Sequence, residues 1–152
     1  MTETVRVETS VAAGSPEAAF QFVVDVENYS RCMPNVNSVR IVEHSGGFRV
    51  THWDTEIEGA PLIWSERDSI CEESYCIRFE CVEGDFDVFR GLWEVLPGGG
   101  PSEVRVACEL EYSVGIPVIE EVLGPVLRQK IAENLTAMLA GLAAGIAAGD
   151  LH

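Results

Sequence analysis

Positive charge is scarce in this chain. Lys130 is its only lysine, and with nine arginines it sets ten bases against 25 acids, for a formal net charge of −15. A surface of that sign repels phosphate backbones and anionic lipid, which argues against nucleic acid as a partner. A docking patch for an acidic carrier protein would have to be local, and Arg128 with Lys130 is the place for one. Paired cysteines are missing too. Cys32, Cys71, Cys76, Cys81 and Cys108 contain no Cys-x-x-Cys, and an odd number favours reduced, mostly buried thiols over disulfides or structural zinc. Histidine is rare. His44 precedes a Gly-Gly turn and His152 is terminal. His52, Asp54 and Glu56 have the spacing of ligands on one strand face, but no second histidine lies nearby. No metal and no cofactor are expected. Met1-Thr2-Glu3-Thr4-Val5 is not a basic segment before an apolar run, and no apolar run upstream of the last helix is long enough to span a membrane. The expectation is a cytoplasmic protein. No linker, repeat or low-complexity stretch divides its 152 residues, 47% of them hydrophobic, so residues 1–152 read as one domain.

What is present is a long apolar helix and a sheet to carry it. From Pro117 to Gly149 the pattern is helical, with a break at Gly124-Pro125. Leu127, Ile131, Leu135, Met138, Leu142 and Ile146 share one face, opposite Gln129, Lys130, Glu133, Thr136 and Ala140. Ile119, Val122 and Val126 fall on a different face, as they would if Pro125 began a new helix running to Ala148. Upstream, Val5, Val7 and Thr9 alternate as a half-buried strand. Ser15-Pro16-Glu17 then opens a short helix with Phe20, Val23 and Val24 on its apolar side, and a second turn from Ser30 to Met33 closes at Pro34.

Period-two alternation and turn residues mark six further strands: Asn37–His44, Phe48–Glu58, Leu62–Ile70, Cys76–Val82, Val88–Leu96 and Glu103–Val114. Short connections imply an antiparallel meander, seven strands in all, covered on one face by the long helix. The expected fold class is therefore α+β. Val104, Val106, Cys108, Leu110 and Tyr112 face inward, as do Phe89, Gly91, Trp93 and Val95, and Ile77, Phe79 and Cys81. On Phe48–Glu58, Trp53, Thr55 and Ile57 oppose His52, Asp54 and Glu56, yet Phe48 and Val50 have the phase of the polar set, which a bulge would resolve. On Leu62–Ile70 neither Trp64/Glu66/Asp68/Ile70 nor Ile63/Ser65/Arg67/Ser69 is cleanly apolar, so at least one polar group points inward.

This order of elements is that of the helix-grip (START/Bet v 1-like) fold. The run from Ser15-Pro16-Glu17 through Phe22, Asp25 and Tyr29 to Met33-Pro34-Asn35-Val36 resembles the opening of the START-like (SRPBCC) polyketide cyclase/aromatase and coenzyme-Q-binding superfamily. Trp64-Ser65-Glu66-Arg67 and Phe89-Arg90-Gly91-Leu92-Trp93 before Pro97-Gly98 resemble it as well. The resemblance implies a cavity for a hydrophobic polyketide or quinone-like ligand, with an acyl carrier protein as a candidate partner. It also implies an inward arginine on the strand that carries Arg67. A tyrosine that some aromatases place after the second small helix has no counterpart; Val36 or a neighbour stands there.

Two chemical roles follow for the Glu66-Arg67-Asp68 run. An inward Arg67 would hold a ketone or enolate oxygen. An inward Glu66 or Asp68, with its pKa raised by desolvation, would serve as general base in an aldol closure. The plain alternative is a strand whose charges pair across a solvated face. Tyr112 would donate a hydrogen bond, Trp53, Trp64, Phe89 and Trp93 would shape the chamber, and Cys108, Leu135 and Met138 would complete its wall. Cys108 reads as an inert buried thiol, with no histidine beside it. The function expected is aldol-type cyclisation and dehydration of a bacterial polyketide intermediate. The alternatives are a non-catalytic carrier of a quinone, lipid or polyketide, and a subunit-interaction module using the outer face of the sheet. Monomer and homodimer are both compatible with the sequence.

Overall fold

The computed structural model describes residues 2–13, 15–57, 59–84, 86–100, 102–114 and 117–148, for the backbone alone at 57, 60 and 117–123. Strand β1 (Glu3–Ala12) leads to helix α1 (Pro16–Val24), a 3-10 turn (Val26–Asn28) and the single-turn helix α2 (Tyr29–Cys32). Six strands follow: β2 (Val36–Ser45), β3 (Phe48–Ile57), β4 (Ala60–Cys71), β5 (Cys76–Glu83), β6 (Val88–Pro97) and β7 (Glu103–Ser113). Helix α3 (Pro117–Ala147) ends the order. The six form an antiparallel meander, and β1 pairs with β7, giving the order β1-β7-β6-β5-β4-β3-β2.

Local chemistry explains the entry to the sheet. Ser15 caps α1 by accepting from the Ala18 N–H at 3.1 Å, and Pro16 occupies the first turn, where its missing N–H removes no helix bond. The far end of α1 is closed by side chains from elsewhere. The Tyr29 hydroxyl donates to the Val23 carbonyl, and Arg49 Nη1 donates to the Val24 carbonyl at 2.7 Å. A cation at a helix C-terminus also complements the helix dipole.

Helix α3 lies across the concave face of the sheet and along β1, where Arg128 Nη1 donates to the Thr4 carbonyl at 2.8 Å. Ile131, Leu135, Met138, Leu139 and Leu142 are buried against α1, α2 and the inward faces of β6 and β7. Burial of each such side chain contributes about 1.5–3 kcal/mol. The helix differs from the sequence expectation in running unbroken through Pro125. A proline removes one backbone hydrogen bond, but Pro125 and Val126 are exposed, and nothing packs near Gly124 to redirect the chain. The side chains of Ile119 and Val122 lie outside those described.

Gly141 is where α3 meets α2. A Cβ there would stand 1.9 Å from the Cys32 carbonyl oxygen. Alanine is the better helix former by about 1 kcal/mol, but here the clash is with backbone, which has no rotamer to escape to. Gly141→Ala is expected to destabilise the fold by about 1–3 kcal/mol in urea unfolding. A stabilised variant would show that α2 yields freely.

The β3–β4 ladder runs from Phe48↔Ser69 to Ile57↔Ala60 without a bulge. The expected bulge is therefore absent from this pairing, and the irregularities lie instead between β2 and β3 and at Ser65/Glu66 of the β4–β5 pairing. Phe48 does sit on the outer face, 48% exposed. The inward phase of β3 is Arg49, Thr51, Trp53 and Thr55, all buried, while the Ile57 side chain lies outside those described.

Candidate functional site

On β4 the inward phase is Trp64, Glu66, Asp68 and Ile70. Arg67 points the other way. It is exposed on the outer face, with its guanidinium 4.8 Å from the centre of the Phe48 ring. This corrects the inward placement that the resemblance implied. Both phases of β4 carry charge, and the indole of Trp64 and the flanking Ile70 decide which one is buried. Arg67→Ala should accordingly change stability by no more than about 0.5–1 kcal/mol, the range of an exposed cation–π contact. Ligand affinity should be unchanged in a tryptophan-fluorescence titration, and a tenfold loss would return Arg67 to the site.

The buried arginine is Arg49, which nothing in the sequence marks out beyond its sharing the phase of Trp53. It is 3% exposed and pairs through Nε with Asp68 Oδ2 at 2.9 Å, Asp68 being fully buried. Thr51 Oγ1 donates to the same oxygen at 3.3 Å and itself accepts from Trp53 Nε1 at 3.1 Å. Asp68 Oδ1 has no hydrogen-bond partner in the structure. Glu66, 3% exposed, stands beside it and accepts from Trp64 Nε1 at 2.7 Å.

Burial drives the Glu66 pKa well above the carboxylate range, and the neighbouring Asp68 adds to the rise through its hydrogen bond and its charge; the Trp64 donor and the Arg49 charge oppose it. Burial thus favours the neutral form of Glu66. Asp68 itself is committed to Arg49, which separates the roles of the two carboxyls.

Glu66 is also the acidic group on the wall of an aromatic cavity between sheet and α3. The wall includes Trp53, Trp64, Phe89, Trp93, Cys108, Leu135 and Met138, the seven positions expected from the sequence. Leu62, Phe79, Phe86, Leu110, Ile131 and Asn134 complete it. Alternation foreshadowed Phe79 and Leu110, and helical spacing Ile131, whereas Phe86 stands in a loop and carries no periodic signal. Trp53 and Trp64 stack at 5.3 Å and 10°, Trp64 meets Phe89 at 5.1 Å, and Phe89 meets Phe86 at 5.2 Å. Asn134 of α3 accepts from the Asn35 amide just beyond α2.

Tyr112 is buried edge-on to Phe86 and is not part of the cavity wall, so its expected contact with a ligand is not made in this geometry. Cys108 is in the wall, and burial raises its thiol pKa, as befits an inert thiol. His52 lies on the outer face, where Nδ1 is 3.0 Å from Ser65 Oγ. Of the two basic groups considered for carrier docking, Arg128 is already engaged with the Thr4 carbonyl and Glu3, and Lys130 lies 3.9 Å from Glu133. Among the described residues no helix is long and apolar enough to cross a membrane.

The unfilled space in the cavity is about 50 Å³, against roughly 300–1,000 Å³ for a pocket that encloses a drug-sized ligand. The aromatic side chains occupy most of the chamber. A ligand larger than a few atoms must displace some of them, and Phe86, in the loop between β5 and β6, stands outside the strand ladders that hold the others.

A seven-stranded antiparallel sheet closed over a long C-terminal helix, with a lined cavity between them, is the helix-grip architecture of START and Bet v 1-like proteins. The chain belongs to the family described as polyketide cyclase / dehydrase and lipid transport, whose model matches residues 13–139. No curated protein matches its sequence. Among solved structures it is similar to TTHA0849 from Thermus thermophilus, with 29% identity and a TM-score of 0.88 over 96% of this chain and 98% of that one. It is also similar to the Zhui aromatase/cyclase from Streptomyces sp. R1128, with 15% identity and a TM-score of 0.85 over 96% and 94% of the two chains. A START superfamily protein from Mycobacterium smegmatis matches with 23% identity and a TM-score of 0.80 over 94% and 96%. The last two likenesses speak to the fold.

Proposed function

We propose that the protein binds a hydrophobic, oxygenated polyketide intermediate between sheet and α3 and promotes its aldol-type closure and dehydration, with Glu66 moving the protons. The observation that carries this reading is a buried carboxyl, its pKa raised by that burial, in the wall of a mostly aromatic and aliphatic cavity. The aromatic cyclase among the structural neighbours supports it as an analogy of fold.

In the forward step Glu66 lends its proton to the electrophilic carbonyl oxygen as the new carbon–carbon bond forms. The nucleophile is the enol tautomer, and the carboxylate left behind takes the enol's O–H proton, which restores the acid. Dehydration uses the same group. It accepts the remaining α-proton as its own proton goes to the departing hydroxyl, which leaves as water. Trp64 Nε1 steadies the carboxylate in between, and the stacked indoles hold the chain folded so that the reacting carbons meet.

A second reading, a carrier that binds and releases its ligand unchanged, is favoured by the near absence of other polar groups from the wall and by the lipid transport in the family description. Turnover of a poly-β-ketone mimic, followed by product analysis, separates the two. A cyclised, dehydrated product formed faster than in buffer is expected. Saturable quenching of tryptophan fluorescence with the mimic recovered intact would establish the carrier instead.

A further inference from the structure

The β4–β5 hairpin ends in two cysteines placed directly opposite each other. Cys71 closes β4, Cys76 opens β5, and they are Cα partners in a ladder that runs in register from Glu66↔Cys81 to Cys71↔Cys76. Opposed residues of an antiparallel pair share a face and lie about 4.5 or 5.5 Å apart at Cα, depending on the type of pair. A disulfide spans Cα separations of about 4.4–6.8 Å, so either type allows the bond. Both side chains belong to the outer face, in phase with Ser69 and Arg78, away from the cavity.

The two thiols are unequal, as an attacking and a resolving sulfur should be. Cys71 is exposed, and hydrogen bonds from Ser74, first from its hydroxyl and then from its backbone, lower its pKa. Cys76 is 7% exposed, and burial raises its thiol pKa. Cys108 is buried behind the sheet, and Cys81 lies on the inward phase, so neither competes for this role. The turn between the pair is itself a structural joint. Tyr75, at φ 52°, packs on Phe20 of α1 at 5.6 Å, and its carbonyl accepts from the Val95 N–H at 2.9 Å.

We propose that Cys71 and Cys76 are a reversible oxidation site, forming a disulfide across the hairpin when the protein meets hydrogen peroxide. The Cys71 thiolate attacks peroxide, is oxidised to the sulfenic acid and releases hydroxide, which is protonated to water. The Cys76 sulfur then attacks Cys71 Sγ, the S–S bond forms, and the sulfenic oxygen leaves as a second water. Two thiols have lost two electrons and one peroxide has gained them. A dithiol reductant reverses the bond by exchange, readily so because a disulfide closing so short a loop on an exposed turn belongs to the labile class.

The test is peroxide treatment of the full chain, alkylation of remaining thiols and digestion with a glutamate-specific protease, which cuts at Glu72 and Glu73 inside the loop. The expected result is one pair of peptides joined through Cys71 and Cys76, lighter by two hydrogens than the reduced pair and separated by dithiothreitol. Cys71→Ser should abolish it, and Cys76→Ser should leave Cys71 as a sulfenic acid trapped by dimedone. Alkylatable Cys76 beside a dimedone-labelled Cys71 in the unaltered chain would overturn the proposal, as would a Cys71–Cys71 bond between two molecules.

Discussion

Arg49→Met is expected to lower the stability of the protein by about 3–5 kcal/mol, the largest effect of any substitution considered. The residue is 3% exposed, and its partner Asp68 is fully buried. Removing the guanidinium leaves a carboxylate without counter-charge in a dry interior, and that uncompensated charge, rather than the lost attraction, accounts for the size of the effect. The Val24 carbonyl at the end of α1 loses its donor as well. With a urea dependence of about 1–3 kcal/mol per molar, the unfolding midpoint should fall by roughly 2 M. The double variant Arg49→Met/Asp68→Leu should recover most of the loss, since it removes both charges and leaves neither stranded. A single-variant loss below about 1 kcal/mol, the range of exposed ion pairs, would mean that water reaches Asp68 in solution.

Glu66→Gln should lower turnover of a poly-β-ketone mimic by about 10²–10⁴ while leaving binding nearly intact. The amide keeps the shape of the neutral acid. Its oxygen still accepts from Trp64 Nε1, but it has no acidic proton to exchange. The same variant reports on protonation through stability. Unfolded, Glu66 ionises near pH 4.3. Folded, it keeps its proton to a higher pH, so above that point the native state binds more protons than the unfolded one. Stability contributed by the group is therefore fully present below the unfolded value and is lost as pH rises towards the folded value, by about 1.4 kcal/mol per pH unit. The glutamine variant should show a flatter profile across that window and coincide with the parent below it. Parallel profiles would mean that Glu66 is ionised in the native protein, and the acid role would fall with that result.

The sheet was legible because alternation repeats along most of its strands, and each strand's buried face is confirmed by its neighbours. Trp53, Phe89, Trp93 and Cys108 could be placed in the cavity wall for that reason, and Leu135 and Met138 by helical spacing. Local pattern was weakest at β4, where a charged residue stands in either phase; Trp64 and Ile70 point to the buried one, and the partner across the ladder makes its burial possible. Asp68 is buried because Arg49 is there to meet it, and the two are 19 residues apart. Arg49 itself is framed by Phe48 and Val50, which read as the core residues of that stretch although they point outward. Pro125 misled for the opposite reason: a strong local signal was overridden by a helix with no contact at that point to turn it.

The ties that Arg49 makes also set which parts of the molecule can open alone. Its guanidinium joins the β3–β4 hairpin to the end of α1, across 25 residues of sequence, and Tyr29 closes the adjoining carbonyl of the same helix. Lifting α1 strips Arg49 of an acceptor, and parting the hairpin strips Asp68 of its counter-charge, so each element holds the other shut. The first helix and the middle of the sheet should fluctuate as one cooperative block.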